Sequence, residues 1–239
     1  MMRSLFAVAL SFLTVLSPHA SAQINLGDLF KKIPGGSVSE KDAGLGIKEA
    51  LTQGVTKAVL NLHKTDGFYG NELYKMLLPP DSQKAEKALR RIGLGSQVDK
   101  AILAINRGAE DAVGSATPIF TNAIKEMTVT DALGIVRGNK DAATQYFKRK
   151  TSQELIAAFT PPVQTSLDKT NATRYYADIA NTYNRLPTSF DKVNPDLSAY
   201  VVGKAVDALF DQITKEEANI RANPLARTSE ILKKVFGGR

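Results

Sequence analysis

The chain of 239 residues contains no cysteine and no tryptophan, and only two histidines. Without thiols there can be no disulfide, no thiol nucleophile and no thiolate-bound metal. One of the histidines, His19, lies in an N-terminal stretch expected to be removed. His63 alone is then left for imidazole chemistry, and zinc or iron sites need clustered His, Cys and carboxylate ligands. No metal and no cofactor is therefore expected. The chain also lacks a G-x-S-x-G elbow and a D-x-D-x-D-G calcium loop. Gly93-Leu94-Gly95-Ser96 resembles part of a phosphate loop but has neither the lysine nor the preceding strand, so it reads as a helix stop. Tyr146 and Lys150 stand four apart, as in some nicotinamide reductases, but no Rossmann unit surrounds them. Alternating apolar and polar runs bounded by hairpin turns are absent as well, which leaves little room for sheet.

Long hydrophobic runs are scarce. The longest, Leu5 to Leu16, is shorter than the ~20 residues that cross a bilayer. Arg3 precedes it and Ala20-Ser21-Ala22 follows, so residues 1–22 read as a secretory signal peptide cleaved after Ala22. Its removal takes away Arg3 as the one charged residue, so the net charge of +7 becomes +6. That mild excess is spread along the chain and names no partner, and nucleic acid is not expected as one. Periplasmic localisation is the expectation. Residues 23–38 mix Ile24, Leu26, Leu29 and Phe30 with Pro34-Gly35-Gly36 and read as an arm and linker. Residues 39–239 read as one helical domain.

What is present is helical periodicity. Ser39 is the expected cap of a first helix, whose Ile47, Leu51, Val55, Ala58 and Leu62 recur at spacings of three and four. Asp66-Gly67 ends it. Pro79-Pro80 forces a break, with Asp81 or Ser82 capping the next helix as far as Ile92. A third helix is expected from Ser96, with Val98, Ile102, Ile105, Ala109 and Val113 as its buried stripe. Pro118 interrupts before Ile119 to Met127. Thr130 to Val136 is a short helix closed by Gly138, and Asn139 begins the next. Thr151-Ser152-Gln153-Glu154 has a capping-box pattern and predicts a new start, followed by a break near Phe159 at Pro161-Pro162. Ala172 to Leu186 is helical up to Pro187. Asp196 to Arg221 is expected to be the longest clean helix. Asn223-Pro224 starts a last one that turns Leu225, Thr228, Ile231, Leu232, Val235 and Phe236 inward. The fold class is all-α: a single compact multi-helix bundle with short loops and Pro/Gly breaks.

Two polar groupings are candidate sites. Asn106 lies at the edge of the third helix's apolar stripe, with Arg107 and Glu110 beside it. Arg221, Asn223 and Arg227 gather at the junction of the last two helices, where two guanidinium groups suit a carboxylate or phosphate. The leading reading is a non-catalytic binding protein using Asn106, Glu110, Arg221, Asn223 and Arg227. Its partner would be a small apolar or anionic molecule, or an envelope protein. The bland alternative is that these arginines pair with Glu110, Asp131 or Asp141. A carboxylate-based envelope hydrolase is the second functional class, with those same acids as its candidates. A membrane-surface or assembly protein is the third, docking its apolar arm and basic last helix on anionic lipid.

Four segments, at residues 42–54, 92–113, 123–147 and 220–237, resemble a bacterial family known as domain of unknown function 4197. Gly108 stands where that family is expected to have alanine, and Ser229 where threonine is expected. The resemblance implies an exported protein of Gram-negative bacteria. The family has no assigned activity, so the resemblance implies no catalytic residues.

Overall fold

The computed structural model describes residues 40–169, 171–185, 192–193 and 196–222. The expected leader, the arm, the Ser39 cap, Pro187 and the helix after Asn223-Pro224 lie outside these residues. The regular structure of the described part is helical, with no strand among the described residues, as its periodicity predicts. Its helices are α1 (Glu40–His63), α2 (Gln83–Arg91), α3 (Gly95–Val113), α4 (Ala116–Glu126), α5 (Val129–Arg137), α6 (Ala142–Lys169), α7 (Ala172–Asn184) and α8 (Ser198–Ala222). A single 3-10 turn, Pro80–Ser82, leads into α2.

The most extensive helix pairing is α6 with α8, followed by α3 with α6 and α1 with α8. α3 is central and packs on α1, α2, α6, α7 and α8. Its buried face carries the expected Val98, Ile102, Ile105, Ala109 and Val113, widened by small residues such as Ala101, Ala104 and Ala112. Phe120 joins the core by edge-on contact with Phe147 and Phe210, with ring centroids 5.3 and 6.2 Å apart. Edge-to-face geometry adds quadrupole attraction to the area that these rings bury.

Several local expectations are corrected. The capping box sits at Thr128 rather than Thr151. The Thr128 side chain accepts from the Asp131 amide, and the Asp131 carboxylate accepts from the Thr128 amide. The Thr128 hydroxyl also donates to that carboxylate at 2.7 Å, and this bond above all, with the amide one, holds the Asp131 carboxyl below its usual range. Thr151 lies inside α6, where its hydroxyl donates back to the Phe147 carbonyl at 2.7 Å. α3 starts at Gly95 with no side-chain cap, so Ser96 does not play that part. Ser82 precedes α2 but bonds the Tyr176 hydroxyl at 2.7 Å instead of capping, which ties α2 to α7. Pro118 falls in the first turn of α4, where its missing N–H costs nothing, so it neither breaks nor kinks a helix.

The largest correction is α6. It runs unbroken for 28 residues through Pro161 and Pro162, and so is longer than the 25 residues of α8. Seven of its ten buried positions, Ala143, Phe147, Thr151, Leu155, Phe159, Val163 and Leu167, stand four apart, with Thr144, Tyr146 and Ser166 beside them. Each step of four turns the helix ~40° past a full revolution, so the buried face rotates by roughly 240° from end to end. The helix therefore presents different faces to different neighbours. Phe147 meets Phe120 on α4, while Leu167 lies against Gly108 on α3. The prolines fall on the outer side, with Pro161 exposed and Pro162 partly so. The carbonyls they leave without a helical donor belong to Ala157 and Ala158, which water can reach. Phe159, Val163 and Leu167 are fully buried, and their burial offsets the lost bonds.

Because Pro161 is exposed and contributes no core contact, Pro161→Ala should stabilise the protein by about 1–2 kcal/mol, less than the full helix-interior proline penalty. Urea unfolding followed by circular dichroism checks this. A lower midpoint would mean that the proline is required for the path of α6.

Candidate functional site

The first candidate grouping turns out to anchor a connection. Between α1 and the 3-10 turn the chain crosses residues 64–79 without regular structure. Asp66 is left-handed, and Gly67 passes so close to α1 that a Cβ would lie 2.3 Å from the Leu62 carbonyl oxygen. Asn106 is completely buried. Its side-chain oxygen accepts from the Met76 amide at 2.8 Å, and its side-chain nitrogen donates to the Met76 and Ile102 carbonyls, both at 2.7 Å. Glu110 does the same one turn on. One carboxylate oxygen accepts from the Phe68 and Tyr69 amides at 3.0 and 3.1 Å, and the other from Arg107 at 2.6 Å. Arg107 also reaches Asp66 at 2.7 Å. His63 completes the anchor, its Nδ1–H donating to the Glu110 carbonyl at 2.7 Å.

Tyr74 fastens the same connection to α8. Its hydroxyl donates to Asp211 at 2.6 Å and accepts from Lys215 at 2.7 Å. Burial pushes the Tyr74 hydroxyl up, and the bond to Asp211 adds to that. The same bond holds the Asp211 carboxyl below the usual carboxylate range. A raised tyrosine paired to a lysine that is itself raised is no base at neutral pH.

Arg221 sits elsewhere, and its principal partner is one the sequence reading did not name. Glu217, one turn back on α8, is 7% exposed. Its carboxylate accepts from the Ala143 and Thr144 amides, both at 3.0 Å, and from the Thr144 hydroxyl at 2.9 Å. It thus caps the N-terminus of α6, where unsatisfied amides and the helix dipole favour a negative group. Arg221 bonds Glu217 at 2.7 Å and the Ile135 carbonyl of α5 at 3.0 Å. Three helices are joined at this point. Glu216 faces the other way and pairs with Lys57 of α1 at 2.7 Å.

Arg221 therefore does not pair with Glu110, Asp131 or Asp141. Asp131 is occupied by Thr128, and Asp141 by Gln145 at 3.0 Å. Asn223 and Arg227 lie outside the described residues. Asn106 and Glu110 face the 64–79 connection and are not brought to Arg221. Among the described residues no group of three His, Cys, Asp or Glu is placed to hold a metal ion.

Beside the Glu217–Arg221 pair is an apolar groove. Its walls are Ile47, Leu51 and Val55 of α1, Ile135 and Val136 of α5, Ala143 and Phe147 of α6, and Ile213 and Ile220 of α8. The space between these walls comes to about 490 Å³ once the solvent at its open mouth is included, so it is a shallow groove and not a closed cavity. Gly54 forms part of its floor, where a Cβ would stand 3.4 Å from Ile220. The one charged feature of its lining is the Glu217–Arg221 pair, whose charges offset each other. Such a surface removes water from hydrocarbon and offers little to a strongly hydrated ion.

The family model described as a protein of unknown function, DUF4197, matches residues 37–237. No curated protein and no solved structure matches the chain.

The two anchors should be costly to remove without being chemically active. Asn106→Ala leaves the buried Met76 amide without an acceptor, and Glu217→Ala strips the first turn of α6 of its cap. Each should lower stability by about 2–3 kcal/mol. A shift of less than 0.5 kcal/mol, roughly the size expected at an unremarkable surface position, in the urea midpoint of either variant would contradict the anchoring role.

Proposed function

Because the chain belongs to the DUF4197 family, whose description assigns no activity, we propose a function from the groove itself: a non-catalytic exported protein that binds an apolar ligand between α1, α5, α6 and α8. The observation that supports this most is the pairing of apolar walls with an open mouth. An apolar cleft with few polar groups is the kind of surface on which small apolar molecules bind. An elongated hydrocarbon chain suits the walls. A polar or anionic end would rest near Arg221, at the rim. The carboxylate-hydrolase alternative has less support, because Glu110 holds a connection, Asp131 a helix start, and Asp141 accepts from Gln145.

Export is part of the proposal. Among the described residues no helix is long and apolar enough to cross a membrane. The leader pattern of residues 1–22 supports passage to the periplasm. Mass spectrometry of protein expressed from the full chain in a Gram-negative host should find a mature form beginning at Gln23 in the periplasmic fraction. An intact N-terminus in the cytoplasm would refute this part.

Binding is tested with the fluorescent apolar probe N-phenyl-1-naphthylamine. Saturable one-to-one binding is expected, and Leu51→Trp, which fills the groove from α1, should weaken it at least tenfold. Displacement by octanoate, decanoate and dodecanoate should strengthen about fourfold per methylene while the chain still fits, from ~0.8 kcal/mol per buried CH₂. Equal probe binding by Leu51→Trp, or no dependence on chain length, would remove the groove as the site.

A further inference from the structure

The groove is lined in part by the last turn of the described chain. Ile220 and Arg221 line it, α8 ends at Ala222, and the polypeptide runs on through Asn223-Pro224 to Arg239. We propose that residues 225–236 of this same chain are the resident occupant of the groove, so that an apolar ligand binds by displacing them. The inference rests on the groove being a binding surface, as argued above.

Three observations converge. The first is tethering. A segment joined to the rim by two residues faces the groove at an effective concentration of the order of millimolar or more, which an unlinked ligand must outcompete. The second is pattern. At helical spacing Leu225, Thr228, Ile231, Leu232, Val235 and Phe236 share one side, while Arg227, Glu230, Lys233 and Lys234 share the other. The apolar side matches walls whose charges already offset each other, and the charged side would stay in water. The third is length. A helical stretch from 225 to 236 measures ~17 Å, and the α1 wall from Ile47 to Val55 ~12 Å, so the segment covers the groove without overshooting by more than about a turn.

The absence of cysteine makes the test clean, since any disulfide must join introduced residues. Leu51→Cys on the groove wall is combined in turn with Thr228→Cys, Ile231→Cys and Leu232→Cys in the full-length mature protein, then oxidised with copper phenanthroline. Leu60→Cys replaces Leu51→Cys as the control. Leu60 is 60% exposed and lies about 180° round α1. Expected is an intramolecular cross-link, seen as a faster band on a non-reducing gel, for at least one groove pair and for no control pair. Its formation should abolish N-phenyl-1-naphthylamine binding, and reduction should restore it. Ile231→Asp with Leu232→Asp, without cysteines, should tighten probe binding roughly tenfold, because the occupied fraction no longer has to be displaced. Groove and control pairs that cross-link equally, or not at all, overturn the inference. So do cross-linked dimers, which would assign the groove to a second copy, and unchanged probe affinity in the double aspartate variant. The outcomes separate the two readings. Cross-linking without any probe binding retains the segment and defeats ligand binding. Probe binding without cross-linking does the reverse.

Discussion

The carboxylate of Glu217 is the interaction on which the arrangement of this bundle depends. A 28-residue helix begins inside the structure with amides that have no helical acceptor. Buried amides left without partners would each cost on the order of 1–3 kcal/mol, and two of them here share one carboxylate. Because that carboxylate comes from α8, it fixes both the start of α6 and its height along its main neighbour. Arg221 then balances the charge and reaches across to the C-terminal turn of α5. A buried charge without a partner is expensive, so the pair and the helix start are best regarded as one unit.

The same logic governs the connection after α1. That connection is long for a helical bundle, and irregular backbone placed against a core must find partners for its amides and carbonyls. Asn106 supplies both a donor and an acceptor to Met76, as a neighbouring strand would, and Glu110 supplies two acceptor bonds to Phe68 and Tyr69. Polar side chains at the margin of an apolar stripe invite a functional reading. Here they replace secondary structure for a segment that has none. Ser198, at the start of α8, is the exception among the described residues: its hydroxyl is buried without a partner.

Most of the fold could be read from spacing, and the failures have physical causes. The stripe of α3 is legible because its apolar positions stay on one side. That of α6 is not, because most of its buried positions follow steps of four, which carry the buried face round the helix and mix buried with exposed positions in any one window. The two prolines then looked like a boundary. They are tolerated because they fall where the freed carbonyls meet water. Thr151 imitates a cap because a threonine bonded to the carbonyl four residues back and a threonine at a helix start look alike in sequence. Of the candidate site, Arg221 was found by its charge near a junction of helices. Glu217 was missed, although it stands four residues after buried Ile213 and four before Arg221. A carboxylate that continues an apolar stripe, one turn from an arginine, is the signal that marks it.

The two anchors together bear on where the groove lies. At the connection after α1, Asn106, Glu110 and Tyr74 spend their polar groups on holding irregular backbone and α8 in place. At the other anchor, the Glu217–Arg221 pair holds α5, α6 and α8 at fixed positions, while Gly54 lets α1 come close to α8 near Ile220. Four helices held by contacts at their edges need not meet along their whole length. The space between them is bounded by side chains already committed to the core on their other faces. A groove of this kind cannot close by simple collapse, since closing it would pull Glu217 from the amides of α6 or Arg221 from the carbonyl of α5. The ion pair that organises the bundle thus stands at the edge of an opening in its apolar interior, and burial of apolar surface there would be favourable.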